Sequence, residues 1–253
     1  MTDVDRLPVD GNICLIDADS LLYYEMGKPT LEEAVYGIDE RIKNILDQCN
    51  TTLYAGFLTQ GRCFRYGVTD TYKANRRGGS PKPIIFHALK AYLRQQYKFW
   101  FIPELEADDL VCFYSFTDNR KTIVCSPDKD VLYQCIGMHY NYQKGEFQHT
   151  TPEAALKFLW QQVLMGDSTD GIPGLPGVGA KTSENWLKNR RKDFEGFALK
   201  KYVEKFGMVE GLFKFHETFR LVYLLRSSED VKRETSKTLP TLIVEQLKSE
   251  QTW

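Results

Sequence analysis

The chain has 253 residues, 42% of them hydrophobic and 26% charged, with 34 acidic side chains against 33 basic ones. This composition excludes disorder, collagen and a continuous coiled coil, and at roughly 150 residues per domain the length allows one to two domains. A net charge of -1 excludes a uniformly basic surface but leaves open how the charge is sorted along the chain.

The first residues, Met1-Thr2-Asp3-Val4-Asp5, are acidic, and no basic stretch leads into an apolar one, so no signal peptide is expected. Ile13 to Ile16 is an apolar run ending in Asp17-Ala18-Asp19, the pattern of a buried strand that presents carboxylates at its C-terminal end. Leu53 to Phe57 and Thr122 to Cys125 read as further strands. Between them Leu31 to Gln48, Ile84 to Gln96 and a stretch opening near Glu106 read as helices. This alternation predicts an α/β unit with a largely parallel sheet over residues 1–150, with its site beyond the carboxyl ends of the strands.

From Thr151 the pattern becomes helical, and no convincing strand run follows. Thr151-Pro152-Glu153 supplies a hydroxyl cap and a proline for a first helical position. A helix through Leu164 then meets Gly171-Ile172-Pro173-Gly174-Leu175-Pro176-Gly177-Val178-Gly179, which is too rich in Gly and Pro for anything but tight turns. A second helix follows from about Ala180. Residues 151–253 are therefore expected to form an all-helical unit, with a hairpin over about 171–181; the tail after Lys232 is polar and carries no motif. Nowhere do the apolar runs approach the roughly 18 residues of a membrane-spanning helix. Six cysteines, with no C-x-x-C spacing, read as buried reduced thiols of an intracellular protein.

Nine carboxylates gather at four junctions. Asp17 and Asp19 stand at one strand end, Asp128 and Asp130 at another, Glu106, Asp108 and Asp109 open a helix, and Asp167 and Asp170 precede the hairpin. So many hard oxygen ligands in similar topological places suit Mg²⁺ or Mn²⁺, and two such ions can activate a water and neutralise a phosphate during in-line displacement.

The charge is sorted accordingly. Residues 61–100 carry Arg62, Arg65, Lys73, Arg76, Arg77, Lys82, Lys90, Arg94 and Lys98 against Asp70 alone, whereas residues 1–60 hold four basic and eleven acidic side chains. Tyr72, Tyr92, Tyr97, Phe99 and Trp100 interleave the basic stretch, as expected for backbone contact and stacking on single strands, although Phe99 and Trp100 read better as core. The glycine hairpin is not a phosphate-binding P-loop, because Ala180 separates Gly179 from Lys181 and no strand precedes it. Its glycines instead allow backbone N–H groups to approach a DNA phosphate at a helix start. Lys181, Lys188, Arg190, Arg191 and Lys192 follow. The four histidines and the cysteines do not compose a nucleophile with a base.

Together, Leu15-Ile16-Asp17-Ala18-Asp19, Tyr72-Lys73-Ala74-Asn75-Arg76, Glu106-Ala107-Asp108-Asp109, Asp128-Lys129-Asp130 and Gly166-Asp167-Ser168-Thr169-Asp170-Gly171 resemble, in order and spacing, the 5′ nuclease family of flap endonucleases and 5′→3′ exonucleases. The small bacteriophage enzymes are the nearest in pattern. The resemblance implies a PIN-like mixed, largely parallel sheet flanked by helices with a helical arch over about 73–105, then a helix-three-turn-helix domain on duplex DNA. It implies Mg²⁺-dependent hydrolysis of DNA, or of RNA in hybrids, to 5′-phosphate products.

On matched positions, Asp17, Glu106, Asp108, Asp109, Asp128, Asp130, Asp167 and Asp170 would hold metal directly or through water, with Asp19 as a substitute ligand. Asp128 and Asp130 would serve catalysis together with Lys73 and Arg76, which steady the reacting phosphate. Tyr72, Lys73, Arg76, Arg77, Gly174, Gly177, Gly179 and Lys181 would contact DNA, with Tyr72 stacking on a terminal base, and K⁺ would sit at the hairpin. The expected partners are DNA with 5′ ends, flaps or nicks, and replication proteins; a monomer in the cytoplasm of a bacterial cell, phage-encoded, is expected.

The stretch Gly56-Phe57-Leu58-Thr59-Gln60-Gly61 departs from the family, which carries an Asp in a Phe-Asp-Gly-like turn there. Two other readings stand beside the nuclease: a DNA-binding protein of the same fold with little or no turnover, and an RNA-cleaving enzyme of similar fold.

Overall fold

A computed structural model describes residues 12–76, 81–117, 121–188, 190 and 193–250, and the chain forms two compact units. One is built from residues up to Cys63, Pro81–Thr151 and from Leu224 onward; the other from Phe64–Ser80 and Pro152–Tyr223.

The first unit is a five-stranded sheet in the order β2-β1-β3-β4-β5. Strand β1 (Asn12–Asp17) is buried at every position, lies at the centre, and pairs in parallel with β2 (Tyr54–Phe57) and β3 (Lys121–Cys125). Strand β4 (Gly137–Asn141) continues the parallel run, and β5 (Glu146–Thr150) closes the edge antiparallel. The mixed, largely parallel sheet is thus the one expected. The β4–β5 hairpin had no counterpart in the sequence reading, because its residues alternate only weakly between apolar and polar.

Helices cover the sheet. Helix α1 (Asp19–Glu25) starts directly after β1, and α2 (Leu31–Gln48) is opened by Thr30, whose hydroxyl accepts the Glu33 N–H at 3.2 Å. Ala34, Ile38, Ile42 and Ile45 form the buried stripe of α2, at the spacing of one helical face. The short α3 (Arg65–Val68) and a 3₁₀ turn at Ala74–Arg76 belong to the second unit. The segment expected as an arch contributes α4 (Ile84–Gln96) to the first unit, where it packs on α2 and α1 through Leu89 and Leu93; residues 77–80, including Arg77, lie outside the described residues.

Helix α5 (Ala107–Thr117) packs on β1, and α6 (Lys129–Gln134) follows β3. The tail, unmarked in sequence, returns to this unit as α11 (Ser228–Thr235) and α12 (Leu239–Glu250). The Leu224 and Leu225 N–H groups reach Gln134 and Asp109, and Lys237 pairs with Glu104 at 2.8 Å.

In the second unit α7 (Pro152–Met165) leads into β6 (Gly166–Asp167) and β7 (Ile172–Pro173), two very short strands on either side of a turn. Helices α8 (Ala180–Leu187), α9 (Phe194–Phe206) and α10 (Met208–Val222) complete it. Its core forms where Trp160 stacks on Phe215 and Phe219 and Tyr202 donates to the Val163 carbonyl at 2.7 Å. Arg65 is 2% exposed, and its guanidinium donates to the carbonyls of Leu221 and Tyr223, both at 2.9 Å. That fixes α3 to the end of α10.

All six cysteines are buried and none forms a disulfide. No helix among the described residues is long and apolar enough to cross a membrane.

Candidate functional site

Sheet register builds the centre of the acidic site. Ile16 lies opposite Cys125 and Asp17 opposite Phe57, so the next residues along β3 and β2, Ser126 and Leu58-Thr59, fall beside the carboxyl end of β1. Ser126 is fully buried and donates its hydroxyl to Asp17 Oδ2 at 2.8 Å, while its Oγ accepts the Asp128 N–H at 3.0 Å. Asp128 in turn caps α6 by accepting the Asp130 N–H at 2.7 Å. One serine therefore ties the Asp17 strand end to the Asp128–Asp130 pair. Tyr142, the residue directly after β4, donates to the Asp17 carbonyl at 2.7 Å and steadies the same strand end.

Across β1, Asp19 opens α1, and its Oδ1 accepts the Thr59 N–H at 3.0 Å. The Thr59 hydroxyl accepts the Ala107 N–H at 2.9 Å, which brings the start of α5 to this corner. There Glu106, Asp108 and Asp109 place carboxylate oxygens within 4.8 Å of one another. Asp109 is fully buried and accepts the N–H of Glu106 at 3.3 Å and of Leu225 at 3.4 Å, so it anchors the group; Asp108 is partly open to solvent.

The electrostatics follow from this crowding. Asp17 is 5% exposed, and its carboxyl is pushed up to about 7, mainly by burial and then by the charges of Asp19 and Asp128, against the Ser126 hydrogen bond. Asp19 is also raised, by burial and by Glu106, while the Thr59 donors and Lys90 oppose the rise. Buried, crowded carboxylates of this kind are stabilised by a cation, and their hard oxygens suit a divalent ion.

The sign of the Asp17 shift gives a testable consequence. Unfolded, this carboxyl titrates near 3.8; in the metal-free fold it holds its proton up to about 7. Between these values the unfolded chain binds fewer protons, so raising the pH favours unfolding. The metal-free protein is expected to lose up to about 1.4 kcal/mol of stability per pH unit from this group across that window, and to lose no more above it. Thermal melts from about pH 5 to about pH 8 check this: the midpoint should fall with pH in chelator and hold level in excess Mg²⁺. A midpoint that rises through the window in chelator would show Asp17 ionised throughout.

The second unit carries the other residues singled out from the sequence. Asp167 is buried, with Oδ1 accepting the Thr169 N–H at 2.8 Å. The Tyr72-to-Arg76 segment is pinned to this turn: Lys73 N donates to the Asp170 carbonyl at 2.7 Å and Asn75 Nδ2 to the Thr169 carbonyl at 3.0 Å. Arg76 bonds the Asp170 carboxylate and Lys73 Nζ stands 3.7 Å from it. Lys73 has φ of 49°, a left-handed conformation that side chains other than glycine seldom adopt and that clusters at functional sites. Gly171, at φ 68°, allows the close approach, since a Cβ there would meet the Thr71 carbonyl oxygen at 2.6 Å.

Tyr72, expected to stack on a terminal base, is 2% exposed, with its ring edge-on to Tyr66 and the Lys73 ammonium over its face. It is a packing element that holds Lys73 in place. The interleaved aromatics of the basic stretch are likewise mostly structural, for Tyr92 and Tyr97 both donate to Asp39 and Phe99 is buried; Trp100, expected as core, is 43% exposed.

At the hairpin, Gly174 lies against the end of α7, where a Cβ would meet the Met165 carbonyl carbon at 2.2 Å, and Gly177 has φ of 79°. Gly179 caps α8 without a side-chain bond, and Gly177, Gly179 and Lys181 are exposed. Arg191 and Lys192 lie outside the described residues.

Sequence reasoning missed Ser126, Thr59, Tyr142 and Lys90. The first two had a signal of position, standing just after β3 and β2, but a lone hydroxyl after a strand is too common to single out.

No family model matches the chain. It is 29% identical over 205 residues to DNA polymerase I of Bacillus subtilis, covering 70% of this chain and 23% of the polymerase. It is 30% identical over 180 residues to a 5′-3′ exonuclease of Buchnera aphidicola, covering 62% of this chain and 59% of the relative. The chain thus spans about a quarter of the polymerases that it matches.

Among solved structures, the bacteriophage T5 flap endonuclease in a pseudo-enzyme-product complex with DNA and metal ions aligns at TM-score 0.68 and 15% identity, over 84% of this chain and 89% of that one. The catalytic core of Rad2 with a DNA substrate aligns at TM-score 0.52 and 15% identity, over 78% and 62%. The likeness to 5′ nucleases read from the motifs is present both in aligned sequence and in the fold.

Proposed function

We propose that the protein is a Mg²⁺-dependent 5′ nuclease that hydrolyses DNA phosphodiesters at 5′ ends, nicks or flaps, leaving 5′-phosphate products. The observation that carries the reading is the carboxylate row at the carboxyl ends of β1 and β3 and the start of α5, joined by Ser126 and Thr59, in which burial raises the Asp17 and Asp19 carboxyls. A DNA-binding protein without turnover has no need of such a row, and the relatives named above are nucleases and polymerases.

Asp17, Glu106, Asp108, Asp128 and Asp130 would hold the divalent ions, with Asp109 fixing Glu106 and Asp19 as a further ligand, while Asp167 and Asp170 are candidate ligands in the second unit. A bound Mg²⁺ or Mn²⁺ supplies a water of lowered pKa and positive charge for the phosphate. Ser126 keeps Asp17 aimed while its second hydrogen bond fixes Asp128. Lys73 and Arg76 present positive charge to the reacting phosphate, the usual source of rate in phosphoryl chemistry. Gly174, Gly177, Gly179 and Lys181 offer backbone N–H groups and a charge to a duplex phosphate at the start of α8, where K⁺ at the hairpin belongs to the same reading. Replication proteins are the partners that such an activity would meet.

Matched DNA and RNA 5′ flaps on one duplex test the substrate class. The DNA flap is expected to be cut at least about tenfold faster, with products that DNA ligase can seal to an upstream 3′ hydroxyl. A faster RNA flap would favour the RNA-cleaving reading, and products that cannot be ligated would contradict the proposed direction of bond cleavage.

A further inference from the structure

We infer that Lys90 is a positioning residue of the acidic centre: its ammonium holds the turn after β2, from which Thr59 fixes both Asp19 and the start of α5. The inference rests on the metal-dependent reading above.

Thr59 is a three-way junction. Its N–H donates to Asp19 Oδ1 at 3.0 Å, its hydroxyl accepts the Ala107 N–H at 2.9 Å, and its carbonyl accepts a hydrogen bond from Lys90 Nζ. Thr59 itself is half-buried and lies outside any helix or strand; Lys90, half-buried on α4 next to the fully buried Leu89, is tied to a rigid element. The chain of contacts therefore runs from the packed face of α4 through Lys90 and Thr59 to the residues that open α1 and α5. No carboxylate occurs between Phe57 and Asp70. The turn after β2 thus contributes an amide, a hydroxyl and a carbonyl that holds a positive charge, where the ends of β1 and β3 and the start of α5 contribute carboxylates.

Two consequences of opposite sign follow. A fixed cation beside Asp19 weakens the pull of the cluster on divalent ions, so removing it should tighten metal binding. Removing it also frees the Thr59 turn and the α5 start that presents Asp108, so turnover should fall even with metal bound. A lysine that served only packing would not tighten metal binding, and one that gripped the substrate would change KM.

The test is Mn²⁺ titration calorimetry on the full chain, with turnover of a flapped DNA duplex, for wild type, Lys90→Met and Lys90→Arg. Lys90→Met is expected to bind Mn²⁺ about fivefold tighter while kcat drops about tenfold or more, with KM within about threefold; Lys90→Arg should restore both values to within about twofold. Unchanged metal affinity and kcat in Lys90→Met would overturn the inference while leaving the nuclease reading intact, and a change confined to KM would reassign Lys90 to the substrate. If wild type neither binds Mn²⁺ nor cuts DNA, both fall together. Should Lys90→Met fail to fold, Thr59→Val removes the hydroxyl acceptor but keeps the carbonyl. It is expected to lower kcat about tenfold without tightening Mn²⁺, and full activity in it would overturn the inference.

Discussion

Replacing Asp130 by alanine is expected to lower turnover at saturating Mg²⁺ by about a thousandfold, close to 4 kcal/mol of transition-state stabilisation, while DNA affinity stays within about threefold. The structure makes this substitution clean. Asp130 stands in the first turn of α6, its side chain is 24% exposed, and the bond that caps the helix uses its backbone N–H, which alanine keeps. The fold should therefore survive, and a loss of rate reports on the carboxylate alone. Wild-type turnover in Asp130→Ala would remove this residue from the site and weaken the assignment of its neighbour Asp128.

Lys73→Ala is expected to slow cleavage about a hundredfold, near 2.7 kcal/mol, and to weaken DNA binding by no more than about threefold. The backbone of Lys73 is held by its N–H bond to the Asp170 carbonyl, and Arg76 continues to bond the Asp170 carboxylate, so the Tyr72-to-Arg76 segment has independent anchors. What the substitution removes is an ammonium set in an uncommon backbone conformation over the Tyr72 ring. Comparing kcat and Kd separates the two roles, since a loss confined to Kd would make Lys73 an ordinary backbone contact.

The parts of this arrangement that were legible in sequence are those that local chemistry specifies. An apolar run ending in Asp17-Ala18-Asp19 has few ways to fold other than as a buried strand with carboxylates at its end, and α2, α4 and α7 carry their own periodicity, α2 with Thr30 as its cap. The hidden parts are set by pairings across long separations. Ser126 meets Asp17 only because the β1–β3 register places them side by side, 109 residues apart. Thr59 finds Ala107 across 48 residues and Lys90 across 31. The tail after Lys232 reads as a polar stretch, yet Lys237 within it pairs with Glu104 of the sheet unit, 133 residues away. Tyr72 was misread for a related reason: an aromatic between basic residues looks the same in sequence whether it faces solvent or packs, and here Tyr66 covers it.

The balance of 34 acids against 33 bases conceals this division of labour. Acidic residues congregate at strand and helix ends in the sheet unit, while Lys73 and Arg76 meet the Asp170 turn in the helical one. The nuclease proposed above would need both, which is why net charge alone excluded so little.

The central claim, that the carboxylate row hydrolyses DNA by means of divalent ions, is tested most directly by single-turnover cleavage of a 5′-labelled flapped duplex across a Mg²⁺ titration. The account predicts no labelled product in chelator, a rate that climbs with Mg²⁺ to a plateau, and a plateau about a thousandfold lower in Asp130→Ala. A tight protein–DNA complex that releases no labelled product at any Mg²⁺ or Mn²⁺ concentration, or cleavage that persists unchanged in chelator, would contradict it.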